Sequence, residues 1–100
     1  MANILTAQQV IEVVELSPFG DGMFKYVRLG DEVRFVDFET MTQHREMVSK
    51  AEKSKVTSAG AIVVCEDRFH FVGYGSTTLG VKWDSGDPEL LAGLLNRPVE

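Results

Sequence analysis

Absences bound this chain before any motif does. It holds a single cysteine, Cys65, so no intrachain disulfide can form, which suits a reducing cytosol and predicts a cytoplasmic location. Lys and Arg number 10 against 15 Asp and Glu, a net charge of −5, and the ten are scattered. Binding a phosphate backbone needs clustered cations, so no nucleic-acid partner is expected. A basic substrate surface, or plain solubility, suits the acidic balance better. The apolar runs are short and interrupted, so none can span a bilayer. Met1-Ala2-Asn3 leads into mixed sequence with no basic n-region and no cleavage pattern, and export by a signal peptide is not expected. No internal repeat, low-complexity tract or linker interrupts residues 1–100, which predicts one domain large enough for one core. At 44% apolar and 25% charged, the composition is that of a globular chain rather than a disordered one.

Hydrophobic patterning supplies the elements. Residues 6 to 16 are ambiguous, because Val10, Ile11, Val13 and Val14 suit either a short helix or, being β-branched, an opening strand. Ser17-Pro18-Phe19-Gly20-Asp21-Gly22 breaks whatever precedes it. Phe24 to Leu29 and Glu32 to Phe38 alternate in polarity around Gly30-Asp31, a two-residue hairpin loop of the Gly-first type. A helix is predicted next, capped by Thr40 with Gln43 closing the box, and with Met41, His44, Val48 and Ala51 on one face. Ser58-Ala59-Gly60 is expected to end that unit. A second hairpin follows, Ala61 to Cys65 and Phe69 to Tyr74 around Glu66-Asp67-Arg68, and then a short strand at Val81-Lys82-Trp83. Asp87 should cap a terminal helix with Pro88 at its first position and Leu90, Leu91, Leu94 and Leu95 toward the core. The expected fold is α+β, a mixed, mostly antiparallel sheet of two hairpins with two helices packed on it.

Three features bear on chemistry. His44 falls on the apolar stripe near a helix start, where exposed amides disfavour a charged ring, so a neutral imidazole able to take a proton or attack phosphorus is expected. The alternative is a histidine at the rim of the core bonded to a backbone carbonyl. Gly73-Tyr74-Gly75-Ser76-Thr77-Thr78 puts successive small residues after a strand. Backbone N–H groups can converge there into an anion nest, or the segment can simply turn the chain out of the sheet. Cys65, ending an apolar strand, reads as an inert core thiol. His70, alternating with Phe69 and Phe71, is expected to face solvent or a neighbouring strand. With the two histidines apart and no Cys/Asp cluster, no metal site is expected.

Taken together, these segments resemble the phosphohistidine phosphatase family, also called Janus/Ocnus. Asp21-Gly22-Met23-Phe24-Lys25-Tyr26-Val27 is similar to that family's opening Asp-Gly-x-Phe-Lys-Tyr-Val strand. Glu32 through His44 looks like its second strand leading into the helix that begins with the catalytic histidine. Asp67-Arg68-Phe69-His70-Phe71-Val72-Gly73-Tyr74-Gly75-Ser76 is similar to its late strand and phosphate loop. The resemblance spans residues 21 to 80. It implies that His44 is the catalytic base or nucleophile, that Lys25 brings positive charge to the phosphoryl group, and that amides near Tyr74, Gly75, Ser76 and Thr77 hold its oxygens. The N–P bond of phosphohistidine is labile, so one base, one cation and a donor nest suffice without metal or cofactor. The implied substrate is a phosphorylated protein or peptide.

Two functions from different classes therefore stand open, and the oligomeric state is unknown for both. One is a metal-independent hydrolase acting on phosphohistidine. The other is a non-catalytic interaction or structural accessory module, possibly viral or oligomeric, in which an exposed hairpin edge such as Phe24 to Leu29 is completed by a partner strand. Lys25 fits the second as well, as an ordinary solvent-facing lysine. Only the first requires His44, Lys25 and the small-residue loop to converge on one pocket.

Overall fold

Thr6 resolves the ambiguity over residues 6 to 16 in favour of a helix. In the computed structural model, which describes residues 4–40, 43–73, 75–76 and 79–100, Thr6 Oγ1 accepts from Gln9 N at 3.2 Å. The Thr6 N–H donates to Gln9 Oε1 at 2.8 Å. This reciprocal capping box satisfies donors that a helix start would otherwise leave orphaned. Helix α1 accordingly runs Ala7–Leu16. Val10 and Val14, one turn apart, are fully buried, and that burial outweighs a helix penalty of under about 1 kcal/mol per β-branched residue.

Gly20, at φ +68°, turns the chain into β1 (Asp21–Leu29), which pairs with β2 (Glu32–Asp37). Leu29 faces Glu32 across the loop. Gly30 alone takes a positive φ there, +66°, as the Gly-first turn requires. Strands β3 (Ser58–Cys65) and β4 (Phe69–Gly73) form the second hairpin. The order is β2-β1-β3-β4 with every neighbouring pair antiparallel. Two expectations are corrected by this register. Ser58-Ala59-Gly60 does not end the preceding unit but opens β3, pairing with Arg28, Val27 and Tyr26. Phe24 to Leu29 is no free edge, because β1 lies between β2 and β3 and closing the sheet through its centre buries Phe24, Tyr26 and Val27.

The outer strands are partly covered by chain ends. Leu5 exchanges backbone bonds with Phe35 on β2, at 2.7 and 3.0 Å. On β4, Phe69 N donates to Pro98 O at 3.1 Å and Glu100 N donates to Phe69 O at 2.8 Å, which makes a parallel bridge to Val99. One parallel bridge thus extends an otherwise antiparallel sheet.

Alternation along the strands divides the interior in two. Phe24, Tyr26, Phe35, Ile62, Val64 and Phe69 face α1 and the terminal helix α2 (Asp87–Leu95). Val27, Val36 and Ala59 face the other way, against Met47, Val48 and Val56. The continuous helix expected from Thr40 is not what covers this second face. Three short 3-10 segments do so, Phe38–Thr40, His44–Met47 and Lys50–Lys55, while Met41 and Thr42 lie outside the described residues. Val48 is extended, at φ −134° and ψ 152°. Ser49 then starts afresh with its own capping box, Oγ accepting from Glu52 N at 3.3 Å and N–H donating to Glu52 Oε1 at 2.9 Å. Met47 and Val48 both enter the core, Met47 from the end of a 3-10 segment and Val48 from extended backbone.

Two more local expectations shift. Val81 forms an isolated bridge with Ser76 rather than a sheet strand. Gly86 rather than Asp87 is the N-cap of α2, and Asp87 is drawn inward as its first residue. The helix ends at Asn96 in the left-handed region, φ 56°, a conformation asparagine tolerates. Arg97 seals that end, with Nη1 donating to Leu95 O at 2.7 Å and Nε to Cys65 O at 2.6 Å.

Candidate functional site

His44 opens the second 3-10 segment, on the sheet face away from the helices. Its Nε2 lies 2.9 Å from Gly60 O. A carbonyl can only accept, so Nε2 carries the proton and Nδ1 keeps the lone pair. The ring is half-buried, and that burial, foremost, holds its pKa below the ordinary histidine value. The bond to Gly60 opposes the shift, and the positive charge of Lys25 reinforces it. The neutral form is favoured, as the sequence suggests. The cause is burial rather than the amides of a helix start, since the segment is too short to have a macrodipole.

Lys25 pairs with Ala61 and Val36 in the register of β1. Its Nζ sits 5.1 Å from the centre of the Phe38 ring, a cation–π contact. Lys25 and His44 are therefore electrostatically coupled on one face. Gly60 connects them to the opposite face. A Cβ there would lie 2.8 Å from Tyr26 Cε2 and 2.9 Å from Gly73 O, so only glycine lets β3 close onto the tyrosine ring while presenting its carbonyl to His44.

The small-residue loop reaches the same face through Leu79 and Val81, which pack on the second cluster. Its backbone is engaged internally where it is described. Ser76 N donates to Val81 O at 2.8 Å, and Leu79 N donates to Ser76 Oγ at 3.2 Å. Gly75, at φ +125°, comes so near Val81 O that a Cβ would lie 2.8 Å away, so this is a tight two-layer turn. Tyr74 and Thr77 lie outside the described residues. Of the six site residues named from sequence, Lys25 acts on His44 through its charge, and Gly75 and Ser76 are held in a turn against Val81. His70 is half-exposed, with Nδ1 3.6 Å from Glu100 Oε2, and Cys65 is partly exposed at the end of β3.

Sequence reasoning missed a buried carboxylate with four donors. Asp87 is 0% exposed. Oδ2 accepts from Tyr26 OH at 2.7 Å and from Asp84 N at 3.0 Å, and Oδ1 accepts from Ser58 Oγ at 2.8 Å and Arg28 Nη1 at 3.0 Å. Burial alone would raise its pKa, but these donors together hold it below the ordinary carboxylate value. Tyr26 is pushed the other way, upward, by burial first and by the Asp87 bond. Every lone-pair direction of the carboxylate is filled, so its work is to pin the start of α2 to β1 and β3.

The sequence also gave no warning of an open groove of about 660 Å³ between the end of α1 and the starts and ends of β1 and β2. Leu16 and Phe19 stand beside it 85% and 86% exposed. Asp21, Asp37 and Glu39 line it, and among the described residues its walls carry no Lys or Arg. A shallower hollow on the other side of Phe19, about 350 Å³, is bounded by Glu66 and Asp67. The run Leu16-Ser17-Pro18-Phe19 was the available signal: a large apolar residue at a helix end and another in the Pro/Gly turn that follows have little face to bury them.

Comparison with protein-family models, with curated proteins and with solved structures finds no match to this chain. Among the described residues, no helix is long and apolar enough to cross a membrane.

Proposed function

We propose that this chain is a non-catalytic protein-interaction module whose contact surface is the groove at the end of α1. One observation carries the reading: Leu16 and Phe19 project almost wholly into solvent at the rim of a concave, acidic surface. Large apolar side chains clustered beside a cleft mark binding surfaces, because leaving them in water forfeits about 1.5–3 kcal/mol apiece that burial would return. The test is a double variant, Leu16→Ser with Phe19→Ser. Peptides selected against the native chain and mapped to the groove should lose binding to the variant, whose thermal unfolding should match the native protein. Undiminished binding would remove the groove as the contact surface.

A second reading, a phosphohistidine phosphatase-like hydrolase, is supported by a His44 whose ring is held on Gly60 O and kept neutral by burial and by the charge of Lys25. In it the Nδ1 lone pair is the base or nucleophile and Lys25 neutralises the phosphoryl oxygens. Phosphate release from a phosphohistidine peptide should then disappear in His44→Ala and drop in Lys25→Ala. Equal release by the native chain and His44→Ala removes this reading.

A further inference from the structure

Strand β1 outlasts its neighbour. The last residue of β2, Asp37, faces Phe24, and there Asp37 Oδ1 accepts from Glu39 N at 2.9 Å, an Asx-type turn that lifts the chain off the sheet. Asp21, Gly22 and Met23 continue past this point, paired with Cys65, Val64 and Val63 on the β3 side only. The other side is the groove.

The hairpin dictates which main-chain groups look into it. A two-residue loop makes Leu29 and Glu32 a hydrogen-bonded pair, so Leu29 directs its N–H and C=O toward β2. Arg28 O points the opposite way, accepting from Thr57 N at 2.8 Å. Counting back by twos along an unbroken register, Val27, Lys25, Met23 and Asp21 direct their main chain toward the β2 side. At Met23 and Asp21, among the described residues, no strand is there to meet them. The groove thus combines a short open strand edge, an apolar rim and acidic walls.

We infer that the groove takes an extended, cationic segment of a partner protein, which adds a strand beside Asp21–Met23 and lays a large apolar side chain against Leu16 and Phe19. Strand addition supplies main-chain bonds, and side chains alternating between wall and rim supply selectivity. Charge complementarity chooses the occupant. Asp21, Asp37 and Glu39 line the groove and Glu66 and Asp67 lie across Phe19; in a chain of net charge −5 they repel acidic segments and favour Lys and Arg. A second copy of this chain would bring the same acidic surface and is disfavoured for that reason.

This inference rests on reading the chain as an interaction module, and its test separates the two. A random decapeptide library displayed on phage is selected against the full chain. Synthesised binders are then mapped by amide chemical shifts. Expected binders alternate Lys or Arg with apolar residues and perturb Asp21–Met23 and the end of α1. Their affinity falls about tenfold in an Asp21→Asn, Glu39→Gln double variant, and methylation of alternate peptide amides abolishes it by removing the donors to β1. Both substituted side chains are exposed, and unchanged thermal unfolding of the variant shows that the loss is not unfolding. Groove binders that carry no excess of cations, or that tolerate methylation in either phase, overturn this inference and leave the interaction reading intact. If no selected peptide maps to the groove, both fall.

Discussion

Asp87 and His44 meet the same sheet from opposite faces, and their surroundings differ in one respect that decides their roles. Asp87 is sealed under the helices with four donors on its carboxylate. His44 lies half-buried under 3-10 turns, with one ring nitrogen on Gly60 O and the other carrying a lone pair. A saturated polar group in a dry site fixes geometry, since any exchange of partner leaves a buried donor unpaired. A partly satisfied group retains capacity to react or bind. Asp87, fully bonded, is the structural group here, and His44 is the more loosely held.

Removing Asp87 should test that contrast hardest. Asp87→Ala strands the Tyr26 hydroxyl, the Ser58 hydroxyl and the Asp84 amide, and leaves the Arg28 charge facing only Asp84, 3.5 Å away, with Nε still on Gly30 O. The expected loss is about 3–5 kcal/mol, read from urea midpoints with Trp83, the single tryptophan, as reporter. A loss below about 1 kcal/mol would show that the node does not hold α2 to the sheet.

Gly60→Ala strikes the residue shared by both faces. The added methyl meets the Tyr26 ring and Gly73 O, so a destabilisation of about 1–3 kcal/mol is expected. His44 resonances should shift with it, because β3 must move the carbonyl that His44 engages.

Titration should separate the faces by pH. The folded His44 holds its proton less tightly than the unfolded ring, whose pKa is about 6.5. The unfolded state therefore binds more protons, and stability falls as pH drops below about 6.5, by up to about 1.4 kcal/mol per pH unit, until the lower folded value is passed. Asp87 follows the same sign at lower pH. Its folded pKa lies below the unfolded 3.8, so its contribution is complete above that value and is lost as pH falls through the folded one. His44→Leu should flatten the upper slope and leave the acid limb, and Asp87→Asn should do the reverse. One shared transition in both variants would mean that the faces are not independent.

The smallest contrast is between the two capping boxes. Thr6→Ala on the helical face should cost about 1 kcal/mol. Ser49→Ala on the 3-10 face should cost about 0.5 kcal/mol, since Arg34 still holds Glu52 by bonds of 2.9 and 2.6 Å. Native-state hydrogen exchange at Gln9 and Glu52 reads the two losses side by side.

Much of the architecture was legible because it is periodic or local. The Gly30-Asp31 hairpin, the strands around Glu66-Asp67-Arg68 and two of the four α2 leucines, Leu91 and Leu95, follow from patterns within ten residues of one another, while Leu90 and Leu94 stay outside the buried cluster. The segment from Thr40 to Lys55 misled for the same reason: its capping spacing and apolar stripe are local signals, and nothing local announces that Val48 is extended and that Ser49 starts afresh with its own capping box. Asp87 reads in sequence as an exposed N-cap, and nothing local announces that Tyr26, Ser58 and Arg28, 29 to 61 residues away, converge on it.

Alternating polarity, turn glycines and caps were thus enough to specify an α+β domain with two hairpins and its helical C-terminal region, because each acts through neighbours along the chain. Only tertiary structure decided that β1 would be central, that His44 would give its Nε2 proton to Gly60, and that β2 would stop three residues short of the start of β1. Those outcomes depend on which faces compete for burial once the chain has folded back on itself, and no local pattern encodes that competition.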